Sequence, residues 1–195
     1  MKTARKVLML VLCAALLVSA TVMGTLAYLT DDDAVTNTFT VGKVNIKLDE
    51  APTNTAGEVV DGDRRQANEY QLFPGHEYAK DPMVTVESDS ENCYIYVTVD
   101  NGISDIEDQT NTIAAQMKAN GWTLVAGETD VYTDGAIHKA GDTKVVFETF
   151  KIATDVKDFD GYTDAKITVK AYAVQADGFA TADAAWAGAE SELTA

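Results

Sequence analysis

Cys93-Tyr94-Ile95-Tyr96-Val97-Thr98-Val99 is the stretch whose reading decides the fold. Ile95, Val97 and Val99 fall on one side of an extended chain, and Tyr94, Tyr96 and Thr98 on the other. Successive side chains of a strand point to opposite faces, so this alternation predicts a strand. β-Branched and aromatic residues suit a pleated, packed surface, which makes the strand a buried one. Cys93 opens it and reads as a small core hydrophobe.

The same period recurs on both sides of this stretch. Val44, Ile46 and Leu48 share a face, and Val84 and Val86 continue the style. Ile167, Val169, Ala171 and Ala173 alternate with Thr168, Lys170, Tyr172 and Val174. Val145 to Ile152 predicts one long strand, and Trp122 to Val125 and Val131 to Thr133 shorter ones. Asp134-Gly135, between Val131-Tyr132-Thr133 and Ala136-Ile137-His138, predicts a two-residue hairpin turn, since both residues tolerate positive φ. Two helices are predicted. One is capped by Asn111-Thr112, carries Ile113 and Met117, and closes at Asn120-Gly121. The other is capped by Thr181, carries Ala182, Ala185 and Trp186, and ends near Gly188. Residues 49–69 are rich in Asp, Glu, Asn and Thr and predict an exposed loop with a short hairpin at Asp61-Gly62. Strands dominate and no βαβ alternation occurs. The fold class is all-β with two short helices, an antiparallel jelly-roll-like β-sandwich after an N-terminal signal helix.

Charge divides the chain. The 195 residues carry 15 basic and 31 acidic side chains, a balance of −16. The first 27 residues hold Lys2, Arg5 and Lys6 and no acid, so the remainder carries 12 basic and 31 acidic groups, or −19. Phosphate affinity comes from Lys and Arg, so nucleic acid is an unsuitable partner. Anionic membrane surfaces are unsuitable for the same reason. The positive start, the uncharged run from Val7 to Leu29 and the small residues late in that run have the layout of a secretory signal peptide. Small residues fit cleavage after Ala20 or after Ala27, and the junction Ala27/Tyr28 is preferred because the acidic triplet Asp31-Asp32-Asp33 follows it. A run of this length would also span a bilayer, so a retained anchor is the competing reading. With residues 1–27 as signal peptide, residues 28–195 form a single sandwich domain that touches a membrane only before cleavage.

Signatures of catalysis are missing. The chain holds two histidines, His76 and His138, and shows no HExxH helix, CxxC pair, GxSxG turn or phosphate-binding glycine loop. His76-Glu77 reads as a solvated turn pair and His138 as exposed. No catalytic and no cofactor-binding residue is predicted. Cys93 is the single cysteine beyond the signal segment, so an internal disulfide is excluded. Calcium is the one metal with candidate ligands. Asp158, Asp160 and Asp164 flank Gly161, although they do not follow the twelve-residue calcium-loop spacing, and Asp105, Glu107 and Asp108 add density. Solvated acidic loops are the simpler reading of both clusters.

The run Gly24-Thr25-Leu26-Ala27-Tyr28-Leu29-Thr30-Asp31, followed by Asn37-Thr38-Phe39-Thr40-Val41-Gly42-Lys43-Val44-Asn45-Ile46, resembles the TasA/camelysin family of Gram-positive bacteria. Leu72-Phe73-Pro74-Gly75 and Tyr94-Ile95-Tyr96-Val97 resemble that family's later elements, and Ala171 to Phe179 with Trp186 its closing strand and helix. The resemblance implies export through a SipW-type signal peptidase and a jelly-roll-like sandwich. It also implies a secreted component of the extracellular matrix or cell surface, self-associating with copies or related subunits into fibres of the biofilm type. There an N-terminal strand would pass into the next subunit's sheet. Residues 28–40 would supply that strand, and the uncharged β-formers from Ala34 and Val35 through Phe39 to Val41 suit it. The competing arrangement folds them back as the domain's own first strand. The resemblance also implies a camelysin-like metallopeptidase as an alternative function, against which the missing zinc motif speaks. A surface ligand-binding module is the third alternative.

Overall fold

The computed structural model describes residues 43–193. The signal segment, the Ala27/Tyr28 junction, the triplet 31–33 and the exchange residues Ala34, Val35, Phe39 and Val41 lie outside the described residues. In chain order the elements are β1 (Ile46–Asp49), β2 (Glu77–Ala79), β3 (Met83–Val86), β4 (Cys93–Asn101), α1 (Ile113–Ala119), β5 (Thr123–Leu124), β6 (Val131–His138), β7 (Thr143–Val145), β8 (Thr149–Lys151), β9 (Ile167–Gln175) and α2 (Ala182–Leu193). They form a three-stranded sheet β1-β3-β7, a two-stranded sheet β2-β8 and a four-stranded sheet β5-β6-β4-β9. Every pairing is antiparallel. The all-β fold class with two short helices is the one the alternation predicts.

β4 is buried on both faces, and the alternation of its side chains separates two cores. Cys93, Ile95 and Val97 turn toward the three-stranded sheet, where Val84 and Val86 of β3 meet them. Val169, Ala171 and Ala173 of β9 pack into the same core. Tyr78 and Phe150 extend it from the two-stranded sheet, their rings stacked at 4.7 Å and 9°. Tyr94 and Tyr96 point the other way, into a second core closed by α2. There Trp186 packs on Tyr96 at 4.9 Å and on Tyr172 at 5.8 Å between ring centroids. Two hydrogen bonds fix the helix at that distance: Tyr96 Oη donates to Ala182 O at 2.7 Å, and Trp186 Nε1 donates to Glu128 Oε1 at 3.0 Å. Both aromatic groups thus bury a large apolar body with the polar tip satisfied.

The helix caps follow the predicted residues. Thr112 Oγ1 accepts from Ala115 N, Asn120 closes α1, and Thr181 Oγ1 accepts from Ala184 N. However, α2 does not stop near Gly188 but continues to Leu193. Gly188 serves packing instead: a Cβ there would sit 2.9 Å from Phe179 Cε1, so the missing side chain lets the Phe179 ring lie against the helix.

Three other predictions are corrected. Residues 145–152 are not one strand. β7 pairs with β3 and β8 with β2, and the chain crosses between the sheets at the fully buried Val146 and Phe147. Gln116 of α1 seals the break, its Oε1 accepting from Glu148 N and Thr149 N and its Nε2 donating to Thr149 O. Asp134-Gly135 is not a hairpin turn. It is a bulge inside β6, where Ile95 stands opposite Asp134, Gly135 and Ala136 because Tyr94 pairs with Ile137 and Tyr96 with Thr133. Gly135 takes φ +72°, and its N–H is turned onto Thr133 Oγ1. Finally, residues 49–69 are exposed only over their far part. Asp49, Glu50, Pro52, Thr53 and Gly57 are buried. The turn spans 54–58 between the paired Thr53 and Val59, and Asp61-Gly62 lies on the returning leg toward the Glu50–Arg65 bridge.

Candidate functional site

Among the described residues β9 is the longest edge strand. All nine of its residues pair with β4, from Cys93↔Gln175 to Asn101↔Ile167. It ends the order β5-β6-β4-β9, and among the described residues no strand pairs with its other side. Nine residues at about 3.3 Å each give an edge of about 30 Å, with backbone N–H and C=O groups facing outward. Lys170, exposed at its middle, places a charge where an indiscriminate partner would dock. The edge is therefore long enough to receive a segment of the length of 34–41.

A cleft of about 230 Å³ opens on the α2 side of the same sheet. Its walls are Tyr94 from β4, Thr123 and Leu124 from β5, Thr133 and Gly135 from β6, and residues 180–183 at the start of α2. It exists because α2 covers Tyr96 and Tyr172 and leaves the bulged end of β6 uncovered.

The bulge also builds a charged cluster that sequence reading missed. Asp134 accepts from His138 Nε2 at 3.1 Å and from Lys144 Nζ at 3.0 Å. Burial of the Asp134 carboxyl works to raise its pKa, but the hydrogen bonds from His138 and Lys144 prevail and hold it at about 2. His138 is thus buried, correcting its exposed assignment; it stands opposite Cys93 in the ladder and its Nε2 faces a carboxylate. His76 is half-buried rather than solvated. Its Nε2 lies 2.7 Å from Ala56 O, and its ring meets Tyr78 edge-on at 4.6 Å. Cys93 lacks the surroundings of a nucleophile. Burial, and the nearby Asp142 carboxylate, push its thiol up to about 11, so the thiolate is scarce at neutral pH.

The supposed loop at 49–69 holds a second polar network. Arg64 Nε donates to Asp49 Oδ1 at 2.6 Å and Nη1 to Asp81 Oδ2 at 2.8 Å, while Lys47 meets Asp49 at 2.7 Å. Lys80 Nζ reaches Glu50 Oε2 at 2.5 Å, and Asn68 Nδ2 donates to Glu50 Oε1. Burial opposes ionisation of Asp49, yet its bonds from Lys47 and Arg64 keep its pKa below the ordinary carboxylate value. The network straps the excursion onto β1 and the start of β3.

The calcium candidates Asp158, Asp160 and Asp164 are exposed on the connection before β9. In the second acidic cluster, Glu107 is buried and accepts from Ile113 N at 2.6 Å, while Asp108 holds Thr110 and Lys151. That cluster organises the start of α1. Among the described residues no three His, Cys, Asp or Glu side chains are grouped to hold a metal ion, and none of the helices is long and apolar enough to cross a membrane. With His76 on a carbonyl and His138 on Asp134, the described residues do not fit a zinc site.

A sequence profile described as Camelysin metallo-endopeptidase matches residues 2–72, which spans the N-terminal segment, β1 and the strapped excursion. No curated protein and no solved structure matches the chain.

Proposed function

We propose, from the match of residues 2–72 to the camelysin profile and the resemblance to the TasA/camelysin family, that this chain is a secreted, non-enzymatic component of the extracellular matrix or cell surface that self-assembles by strand addition. The observation that carries this reading is the nine-residue edge of β9, unpaired on one side among the described residues. A segment from another copy that added there would gain a backbone ladder about 30 Å long and would satisfy donors and acceptors otherwise left to water. The Ala34–Val41 segment, released by cleavage after Ala27 through a SipW-type peptidase, is the donor. The charge of −19 beyond residue 27 keeps subunits apart until acid or salt weakens the repulsion.

The test is electron microscopy and sedimentation of the chain beginning at Tyr28, beside a version beginning at Thr40. Assembly of the longer chain alone, favoured near pH 4.5 where carboxylates begin to protonate, is expected. Failure of the longer chain to assemble at any pH or salt, or equal assembly of both, would sink the proposal. The description of the matching profile names one second reading, a metallopeptidase. Its signature is protein hydrolysis by the purified chain that is abolished by a chelator and survives repurification.

A further inference from the structure

We propose that Lys80 and Asn68 join in an intramolecular isopeptide bond, with Glu50 moving the protons of the exchange. The bond lies in the strapped excursion and is independent of strand addition at β9.

One buried carboxylate holds both reacting side chains. Glu50, 3% exposed, directly follows β1, and Lys80 directly follows β2. Lys80 Nζ donates to Glu50 Oε2 at 2.5 Å, and Asn68 Nδ2 donates to Glu50 Oε1 at 2.9 Å. The Lys80 side chain is itself 11% exposed, so its nitrogen meets little water. The amide is fixed at both ends. Its Nδ2 also donates to Ala51 O at 2.9 Å, and its Oδ1 accepts from Thr53 N at 2.9 Å. That backbone N–H draws electron density away from Cγ and stands ready to stabilise a negative oxygen. Thr53 Oγ1 is the one buried side-chain polar atom without a partner among the described residues. It gives a departing ammonia its first hydrogen bond. Tyr70, adjacent to Thr53 and Asn68, closes the cluster. Its ring meets Tyr78 and Phe150 edge-on at 5.8 and 5.1 Å. Burial pushes its hydroxyl up to about 12, so it adds no charge.

A lysine on a glutamate is by itself an ion pair. The amide on the second oxygen of the same carboxylate turns the pair into a nucleophile, a base and an electrophile held together. Burial favours the neutral forms of such groups, and a proton passing from Nζ to Oε2 cancels both charges and frees the nitrogen lone pair. Nζ attacks Cγ, and the Nζ–Cγ bond forms while Oδ1 takes up charge against Thr53 N. Glu50 relays a second proton from Nζ to Nδ2, the Cγ–Nδ2 bond breaks, and ammonia leaves. It carries off the first proton as ammonium, which restores the Glu50 carboxylate. One amide replaces another, so no oxidant is required. The product ties the returning leg of the excursion to the segment between β2 and β3. It supplies a covalent staple to a chain whose free cysteine, Cys93, has no partner for a disulfide.

The experiment is intact-mass spectrometry of the denatured chain beginning at Tyr28, followed by trypsin digestion and acetylation of free amines. The native chain is expected to be lighter than its sequence by about 17 Da, the mass of one ammonia. Trypsin should pass over Lys80, and Lys80 should stay unacetylated in denaturant. Glu50→Gln and Lys80→Arg should each restore the full mass. Lys80→Arg keeps a charged donor for Glu50, so its circular dichroism should stay native even where Glu50→Gln disturbs folding. A natively folded chain of full mass, a mass loss that persists in Lys80→Arg, or complete acetylation of Lys80 would overturn the proposal.

Discussion

The Asp134 cluster gives the sharpest test of how the bulge in β6 is held. An aspartate in water titrates near 3.9, whereas Asp134 is held at about 2 by His138 and Lys144 despite its burial. That difference corresponds to roughly 2–3 kcal/mol of native-state stability at neutral pH. The folded-state pKa is depressed, so this stability is present above the ordinary carboxylate range and is lost as pH falls from about 4 to 2. At pH 3 about half remains. Asp134→Asn removes the charge but keeps the oxygen that Ala136 N uses, so the bulge itself survives. Urea unfolding followed by the fluorescence of the buried Trp122 and Trp186 should show a loss of roughly 2–3 kcal/mol at pH 7, or a melting temperature lower by about 5–10 °C. The gap between variant and native chain should halve at pH 3. A loss below about 0.5 kcal/mol at pH 7, or a gap that is the same at both pH values, would refute the electrostatic account.

Three further outcomes are expected. Gly57→Ala should cost roughly 2–4 kcal/mol by denaturant unfolding, because Gly57 sits at φ +78° and the new Cβ would lie 2.6 Å from Tyr78 Cδ1 and 2.8 Å from its Cα; a neutral effect would show that the excursion does not rest on β2. Trp186→Ala should cost about 3–5 kcal/mol, since it empties the second core between Tyr96 and Tyr172; a loss under 1 kcal/mol would mean that α2 is not docked as described. Cys93 should resist an aromatic disulfide reagent at pH 8 in the native chain and react within seconds in denaturant, and rapid native labelling would contradict its burial.

Period-two alternation predicted β4, β9 and β3 correctly because their pattern is set by which side each residue faces, and that is local. Thr112 and Thr181 were equally readable, since a cap acts within three residues. The failures share a cause. Asp134-Gly135 has the same backbone freedom in a hairpin turn and in a bulge, and only the distant partner Ile95 decides between them. The run 145–152 is uniformly strand-forming, and its division follows from two partners, β3 and β2, that belong to different sheets. Asp49, Glu50 and Arg64 read as solvated charge because the partners that bury them, Lys47 apart, lie 15 to 30 residues away. The cleft had no sequence signal at all, because it is the area that α2 leaves uncovered.

The burial of β4 on both faces has a consequence for how the domain comes apart. Two hydrophobic compartments share a single wall, so neither can dissolve while the other keeps its lining. A fluctuation that lifts α2 unshields Tyr94 and Tyr96, and the amides of that strand remain clamped by β6 and β9. Local opening at the helix is thus a shallow event, and loss of β4 is loss of everything. In hydrogen exchange the amides of Ile95 and Val97 should define the slowest class, exchanging only through global unfolding. A domain built this way can lose the cover of its surface helix and still keep its central strand paired on both sides.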